Sequence, residues 1–465
     1  MTVTAAEETP LLLSDPAVLE HEAVYRRFSP VQKRWIVALI SLCGILPFFV
    51  SGTFIPSIPE IAKELDSTGA IINLAVSLSV LVNAFGCLLW ATYSTFYGRR
   101  PIYLLSLLCQ CIGSLGVACS RSVPELLATR IVQAFGSSSG LSIGIAVIGD
   151  LYKLEERGTA AGIFFGCTLL GPTLAPIAGG FTAEYYSWRI MQLALFVSAV
   201  LILIAFALFM PETAHPGTKG VDGVQAGKPT WVWLNPVKSL ALLRSPNVTI
   251  VALAGGLLLM TDYAMLVPVA YTMGKRYNID NAAIIGALFI PTGLGNLMGS
   301  PISGKLSDMV LIRMRRRRGG VWVPEDRLLL TLVGASVMAP VSVLLSGIFI
   351  TYVDGNLGIA LNLAAFFLNG VGVDFILGPA TAYAVDILHS RSAEVSAASM
   401  AVRGLLIAAC TSFILPMINT FGVLTTYTIT AFIGWFGCFL LWSVIAYGDR
   451  MRAYVDVGYS TIRDN

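Results

Sequence analysis

The chain has 465 residues, of which 56% are hydrophobic and only 12% are charged, and its formal net charge is +3. Because soluble domains carry about 25% charged residues, this composition argues against a soluble multidomain enzyme. The small net charge says little, whereas the placement of the charges between long apolar blocks is typical of a membrane protein. We therefore expect an all-α membrane protein.

The apolar blocks predict twelve membrane-spanning helices. A helix that rises about 1.5 Å per residue needs roughly 20 mostly uncharged residues to cross a hydrocarbon core about 30 Å thick. The blocks that meet this requirement cover residues 35–54, 69–93, 101–119, 124–149, 159–183, 188–210, 248–273, 282–306, 328–352, 357–385, 393–417 and 423–447.

The longest polar gap divides these spans six and six. The expected order is an N-terminal tail at 1–34, a six-helix bundle at 35–210, a linker at 211–246, a second six-helix bundle at 247–447 and a C-terminal tail at 448–465. The halves also echo each other, since Gly149-Asp150 follows the fourth span and Val385-Asp386 the tenth. Matching positions in a six-span repeat favour a duplicated transporter with two pseudo-symmetric bundles.

The basic residues predict the orientation. If the N-terminus is cytoplasmic, the outer loops hold few of the 30 basic residues, namely Lys63, Arg121, Arg189, Lys275 and Arg276. Short cytoplasmic loops retain Lys and Arg, so both termini are expected in the cytoplasm. The first 34 residues have no signal-peptide core, so the first span itself directs insertion. We expect the plasma membrane, with a vacuolar or endosomal membrane as the alternative, because residues 7–12 resemble an acidic dileucine sorting signal.

The turn between spans two and three carries a family resemblance. Residues 91–100 read Ala-Thr-Tyr-Ser-Thr-Phe-Tyr-Gly-Arg-Arg and resemble the signature loop of the major facilitator superfamily, Gly-x-x-x-Asp-x-x-Gly-Arg-Arg/Lys. In that family the acid and the arginines form a cytoplasmic latch, so the resemblance assigns Gly98, Arg99 and Arg100 to a latch. Because Thr95 stands in place of the acid, we expect a weaker latch or an acid supplied from elsewhere.

The second half contains a copy of this loop that keeps its acid. It begins at Gly304 and includes Asp308, followed by Arg313 and the run 315–318. The resemblance assigns Gly304 and Asp308 to a second latch. As an alternative, the basic residues only enforce topology.

Further stretches resemble narrower groups of the same superfamily. Span four contains Arg130-x-x-Gln133-Ala134-x-Gly136, similar to a motif of that family. Span five contains a motif that is similar to one in twelve-span drug:proton antiporters, made of Gly171, Pro172, Pro176, Gly179 and Gly180. The segments 210–213 and 324–328 resemble the fungal branch. The resemblance implies a secondary carrier that exports a small amphipathic compound, a drug or secondary metabolite, in exchange for protons by alternating access.

Four ionisable residues fall inside predicted spans, and such residues usually face a cavity or a partner. They are Arg130, Asp262, Asp374 and Arg403. We expect Asp262 or Asp374 to carry the coupled proton, because span one lacks the acid that many relatives have there. The alternative is a static ion pair between Asp374 and Arg403.

A substrate cavity needs a few polar groups within an apolar lining. The candidates are Arg130, Gln133, Tyr263, Asn296, Asn369 and Arg403. Two other functions stay open, which are an organic-anion carrier that uses Arg130 and Arg403 and a non-transporting membrane sensor.

Other partners are expected to be protons and the lipid bilayer, with the chain acting as a monomer. The three histidines, His21, His215 and His389, form no ligand cluster, and no phosphate-binding Gly-rich loop is present. We therefore expect no enzyme activity, no metal, no cofactor and no nucleic acid.

Overall fold

The structure is a computed structural model that describes residues 25–152, 157–215, 219, 232, 234–321, 323–388 and 392–454. Within these ranges twelve helices are long and apolar enough to cross a membrane, which confirms the predicted number of spans. They are α1 Pro30–Gly52, α2 Gly69–Tyr97, α3 Arg99–Cys119, α4 Val123–Leu151, α5 Arg157–Tyr185, α6 Trp188–Phe209, α7 Pro246–Gly274, α8 Ala282–Arg317, α9 Pro324–Tyr352, α10 Gly355–Ile387, α11 Ser392–Phe421 and α12 Val423–Tyr454. The sorting-signal resemblance at 7–12 lies outside the described residues.

Polar residues begin several helices and set their positions. The Ser29 side chain accepts a hydrogen bond from the Gln32 amide, and the Gln32 side chain accepts one from the Ser29 amide, so the two form a capping box ahead of α1. Asn281, whose backbone is extended like that of Ser29, caps α8 because its side chain accepts a hydrogen bond from the Ile284 amide. Such caps satisfy amide groups that have no partner within the helix.

Two helices continue for seven or more residues beyond the apolar runs that predicted them. α8 extends to Arg317 rather than ending near 306, and α12 extends to Tyr454 rather than ending near 447. Backbone hydrogen bonds of a helix do not depend on an apolar surface, so a helix can project from the membrane with charged residues on it. Hydropathy finds the part of a helix that crosses lipid but not its end.

The helices form two bundles that are related by a pseudo-two-fold axis. In the first bundle α1 packs on α5, α2 on α4, and α3 on α6, and in the second bundle α7 packs on α11, α8 on α10, and α9 on α12. Two extensive pairings cross between the bundles, α2 with α11 and α5 with α8, and the pseudo-symmetry exchanges them. This is the expected fold class.

The bundles share one core at one end, whereas at the other end they have separate cores and meet where α2 packs on α11. We call the end that carries Tyr25, Tyr454 and the linker the terminal end, and the other the opposite end. One continuous apolar core crosses between the bundles at the opposite end, with Phe54 and Ile58 from the first bundle and Val269 and Phe289 from the second. At the terminal end each bundle has a large core of its own.

Glycines on α5 and α8 mark where these two helices part. A methyl group added to Gly180 or Gly286, near the opposite end, would overlap backbone of the other helix. One added to Gly166 or Gly304, in the terminal halves, would meet no described atom within 4 Å. The pair therefore closes the molecule at the opposite end and leaves a lateral opening at the terminal end.

The end of the linker is a 3₁₀ helix, Pro236–Arg244, that packs across the joint between α2 and α11. Its Leu240 contacts a small apolar cluster formed by Leu88 of α2 with Ala397 and Ala401 of α11. This part of the linker is thus packed against both bundles.

Candidate functional site

Two carboxylates lie at middle depth in the second bundle. Asp262 is on α7 and Asp374 on α10, and each keeps part of its side chain accessible. Asp262 Oδ1 and Asp374 Oδ2 are buried atoms without a hydrogen-bond partner. Within the described residues, neither forms an ion pair. Because an ionisable group at this depth costs at least about 2.5–3.5 kcal/mol, two unpaired acids are a candidate for function.

Glycines of α8 allow α10 and Asp374 to come close. Gly299 packs against Val371, and a methyl group added to it would lie 3.2 Å from the Asp374 Cβ. Asn296, almost one turn earlier on α8, lies against Gly370, which is one turn from Asp374 on α10. The predicted candidate Asn296 is therefore a polar neighbour of the carboxylate region.

Arg403 of α11 lies on the terminal side of the two acids. Its guanidinium packs against Gly255 of α7 and donates to Thr381 Oγ1 of α10 at 3.4 Å. Gly255 precedes Asp262 by seven residues and Thr381 follows Asp374 by seven, which is about 10 Å along each helix. The static ion pair between Asp374 and Arg403 is therefore not formed in this conformation. Arg403 Nε is buried and has no hydrogen-bond partner.

Arg130 and Gln133 lie together inside the first bundle, fully buried. Arg130 Nη1 donates to the Val50 carbonyl at 3.0 Å and to Gln133 Oε1 at 2.8 Å, and its guanidinium lies 4.3 Å from the Phe54 ring centroid. Gln133 Nε2 donates to Gln192 Oε1 at 2.9 Å. This network joins α1, α4 and α6, while Nε and Nη2 of Arg130 stay unbonded.

The remaining cavity candidates differ in exposure. Asn369 is buried, and its Nδ2 donates to Thr261 Oγ1 at 3.2 Å and Ser342 Oγ at 2.9 Å, which ties α10 to α7 and α9. Tyr263 is half-buried and packs against the core at the opposite end. The structure thus places Asn296 near Asp374 and places Asn369 in helix packing.

The first latch takes its acids from outside the loop. Gly98 has φ 103°, and a methyl group there would lie 2.5 Å from Glu212 Oε2. Glu212 accepts from the Arg99 amide at 2.9 Å and the Arg100 amide at 3.3 Å, and so caps α3. Arg99 Nε donates to Asp150 Oδ2 of α4 at 2.9 Å. Sequence reasoning quoted both acids in motifs but did not identify them as the missing partners.

The second latch uses the matching acid of the other half. Arg327 Nη1 donates to Asp308 Oδ1 at 2.9 Å, and Arg327 Nε donates to Asp386 Oδ2 at 2.8 Å. Asp386 and Asp150 are the two acids of the sequence echo. Sequence reasoning missed Arg327 as the partner of Asp308, although Arg327 lies in the quoted segment 324–328. Gly304 is exposed and makes no close contact there.

The span-five motif is a packing surface for two neighbours. A methyl group at Gly171 would overlap Phe48 of α1, and one at Gly179 would lie 2.1 Å from the Thr53 carbonyl oxygen. Gly180 and the Pro176 carbonyl meet α8. Pro172 and Pro176 remove two amide donors within α5. The motif therefore brings α5 against both α1 and α8 at the sealed end.

Acidic residues also hold the sealed end. Glu184 accepts from the Ala282 amide at 2.7 Å, a bond between the two bundles at the start of α8. Glu64, at the end of the short helix Ile58–Glu64, accepts from Trp188 Nε1 at 2.5 Å and from Arg189. Burial raises the pKa of Glu60, on the same short helix, above its ordinary value, and the nearby charge of Glu64 adds to the effect.

The comparisons with known proteins agree with this architecture. The pattern of the Major Facilitator Superfamily matches residues 40–411. The chain is 26% identical over 450 residues to efflux pump radE of Floropilus chiversii, covering 92% of this chain and 82% of that protein. It is 26% identical over 325 residues to citrate exporter 1 of Aspergillus niger, covering 64% of this chain and 62% of that protein. The crystal structure of a D-xylose-proton symporter has the same fold, with a TM-score of 0.64, 16% identity, and coverage of 88% of this chain and 96% of that chain.

The family match covers both bundles, from α1 into α11, and the solved structure shares their arrangement. Members of this family move small molecules across membranes and catalyse no chemical reaction. The chain belongs to the Major Facilitator Superfamily and is a membrane transporter with twelve spans.

Proposed function

We propose that the chain exports a small amphipathic compound in exchange for protons, and that Asp262 and Asp374 carry the coupled protons. The observation that carries this proposal is that the second bundle contains two half-buried carboxylates, each with an oxygen that has no hydrogen-bond partner. A proton bound by either acid removes a charge from a region of low dielectric constant. Release of that proton needs contact with water, which alternating access supplies on one side at a time.

The proposal includes an orientation. Basic residues are concentrated at the terminal end, where the run 315–318 lies, and this distribution supports a cytoplasmic location for both termini. The seal at the opposite end then faces outward, and the opening between α5 and α8 faces the cytoplasm. The structure would be the inward-facing state, in which an exporter loads its substrate. We expect residence in the plasma membrane, which fluorescence microscopy of the tagged full chain tests.

Proton movement driven by substrate tests the coupling. The protein is reconstituted in liposomes that contain a trapped pH indicator, and compounds are screened under an imposed pH gradient. Asparagine resembles a protonated aspartate, so Asp262→Asn and Asp374→Asn are expected to abolish substrate-driven proton movement and to retain exchange of labelled for unlabelled substrate. Asp280→Asn, at an exposed position between α7 and α8, is the matched control and should resemble the parent. Normal coupling in both single variants and in the double variant would refute the proposal.

One observation favours a second candidate, which is an organic-anion carrier. Arg403 is partly accessible and forms no ion pair with any described residue, so its guanidinium charge is available to a carboxylate. A citrate exporter is also among the relatives. Competition between a dicarboxylate and the lipophilic cation tetraphenylphosphonium separates the candidates. A dicarboxylate carrier would lose competition by the acid in Arg403→Gln, whereas the amphipathic exporter would be inhibited by the cation and not by the acid.

A further inference from the structure

A groove on the side of the first bundle has features that the transport cycle does not use. It lies between α1 and α5 in their terminal halves and has a volume of about 560 Å³. Its walls are almost entirely apolar, with Val37, Leu42 and Ile45 on α1 and Ile163 and Leu170 on α5. Arg34 and Tyr152 lie at the end of the groove that is nearest the terminal end of the molecule.

The helix faces show that this groove opens toward lipid. Ile163, Leu170, Leu174, Phe181 and Tyr185 follow each other at spacings of seven and four residues, so they lie on one face of α5. All five side chains are exposed, Ile163 by 55% and Phe181 by 49%. Phe181 and Tyr185 are at the sealed end, where the bundles enclose no opening, and therefore their face is the outer surface. Ile163 and Leu170 continue that face into the groove.

Two other faces of α5 are already covered. Thr173 packs against Gly293 of α8, and Phe164 packs against Gly44 of α1. The groove lies on the flank between these two contacts, where α1 contributes the exposed residues Ala38 and Leu42. The groove is thus separate from the opening between α5 and α8.

The length of the groove matches one leaflet. Arg34 and Ile45 are separated by eleven residues, or about 16 Å of helix, and half of a hydrocarbon core about 30 Å thick is about 15 Å. Arg34 would lie at the depth of the lipid headgroups. The neighbouring Trp35 is 69% exposed, and such aromatic side chains are typical of the interface.

Two basic residues of the described part of the chain, Arg34 and Lys33, lie at the polar end of the groove. The Arg34 side chain forms no hydrogen bond or ion pair with any described residue. The Lys33 ammonium lies 5.1 Å from the ring centroid of Tyr152, which lines the groove. An unpaired arginine beside a second cation complements a phosphate group, while the apolar walls complement an acyl chain.

We propose that this groove binds one anionic phospholipid, with an acyl chain between α1 and α5 and the headgroup on Arg34. The assignment to the cytoplasmic leaflet rests on the proposed orientation, but binding itself does not depend on the proposed function. A bound lipid would hold the terminal halves of α1 and α5 together on the flank of α5 that faces away from α8.

Native mass spectrometry of the purified full chain in detergent tests this site. Phosphatidylserine and phosphatidylcholine are titrated separately, and phosphatidylserine is expected to bind more tightly. Arg34→Gln should weaken phosphatidylserine binding about fivefold, as expected for one basic residue near a headgroup. Ala38→Trp, which fills the groove, should weaken both lipids. Arg244→Gln, at another exposed arginine of the terminal end, is the control and should bind as the parent does.

Three results would overturn the proposal. The first is equal affinity for the two lipids in the parent. The second is phosphatidylserine binding as tight as in the parent in both single variants, Arg34→Gln and Ala38→Trp. Each variant must first elute in gel filtration as the parent does. The third is displacement of bound phosphatidylserine by tetraphenylphosphonium, which would assign the groove to transported compounds.

Discussion

A methyl group at Gly180 tests whether the contact between α5 and α8 sets the conformational state. Its carbon would lie 2.3 Å from the carbonyl oxygen of Ala282, about 1 Å inside ordinary van der Waals contact. Because the obstacle is backbone of the other bundle, rotation of a side chain cannot relieve the overlap. Overpacking of this kind costs about 1–3 kcal/mol, which corresponds to roughly a 5- to 150-fold shift away from the sealed state.

The assay for Gly180→Ala measures access from the terminal end. In a variant without the 8 native cysteines, Gly166→Cys places a thiol where α5 and α8 are apart. An impermeant maleimide then labels this thiol in membrane vesicles that expose the terminal end. We expect Gly180→Ala to reduce the labelling rate severalfold, because closing that end accompanies opening of the seal.

Gly378→Ala is the matched control for this experiment. It is the same substitution inside the second bundle, where the added methyl group meets only the Ser303 hydroxyl, at 3.1 Å, and it should leave the labelling rate unchanged. An unchanged or faster rate in Gly180→Ala would refute the reasoning that close backbone contact at Gly180 maintains the seal.

Three further predictions concern stability in detergent, measured as the apparent Tm. Glu212→Ala removes the cap of α3 and should lower Tm by about 0.5–2 °C, whereas an unchanged Tm would show that the cap is dispensable. Arg327→Gln should lower Tm more than Arg327→Lys, because lysine keeps the charge between the two acids but not both hydrogen bonds, and equal effects would contradict this. Since burial raises the pKa of Glu60, folding favours its neutral form, and the associated stability is lost as pH rises above the ordinary range of a carboxyl group. Glu60→Gln should therefore raise Tm at pH 7 and leave it unchanged at pH 4, and a lower Tm at pH 7 would contradict the assigned environment.

The fold could be predicted because it depends mainly on the order of apolar blocks and motifs along the sequence. Twelve apolar blocks and the family motifs together give the number of spans and the architecture, and both are confirmed. The helix ends near Arg317 and Tyr454 could not be read in this way, since hydropathy reports lipid contact and a helix continues into water.

The site was harder to predict because it depends on the faces of the helices. Sequence reasoning could place Asp374 and Arg403 inside spans but could not show that they lie at different depths, about two helical turns apart. It also noted that Thr95 replaces an acid, but the compensating Glu212 is more than a hundred residues away. Arg130 shows the same limit, because its place in a network with Val50 follows from tertiary packing.

Leu240 gives the connection between the halves a mechanical role. The side chain lies where Leu88 of α2 meets Ala397 and Ala401 of α11, so these helices cannot change their spacing at the terminal end without moving the 3₁₀ segment. The 3₁₀ segment 236–244 is therefore placed as a spacer between α2 and α11, and we expect changes to its sequence to alter their spacing. Cutting the chain ahead of Pro236 would preserve the contact of Leu240 with α2 and α11, whereas replacing 236–244 by a flexible linker would remove that contact.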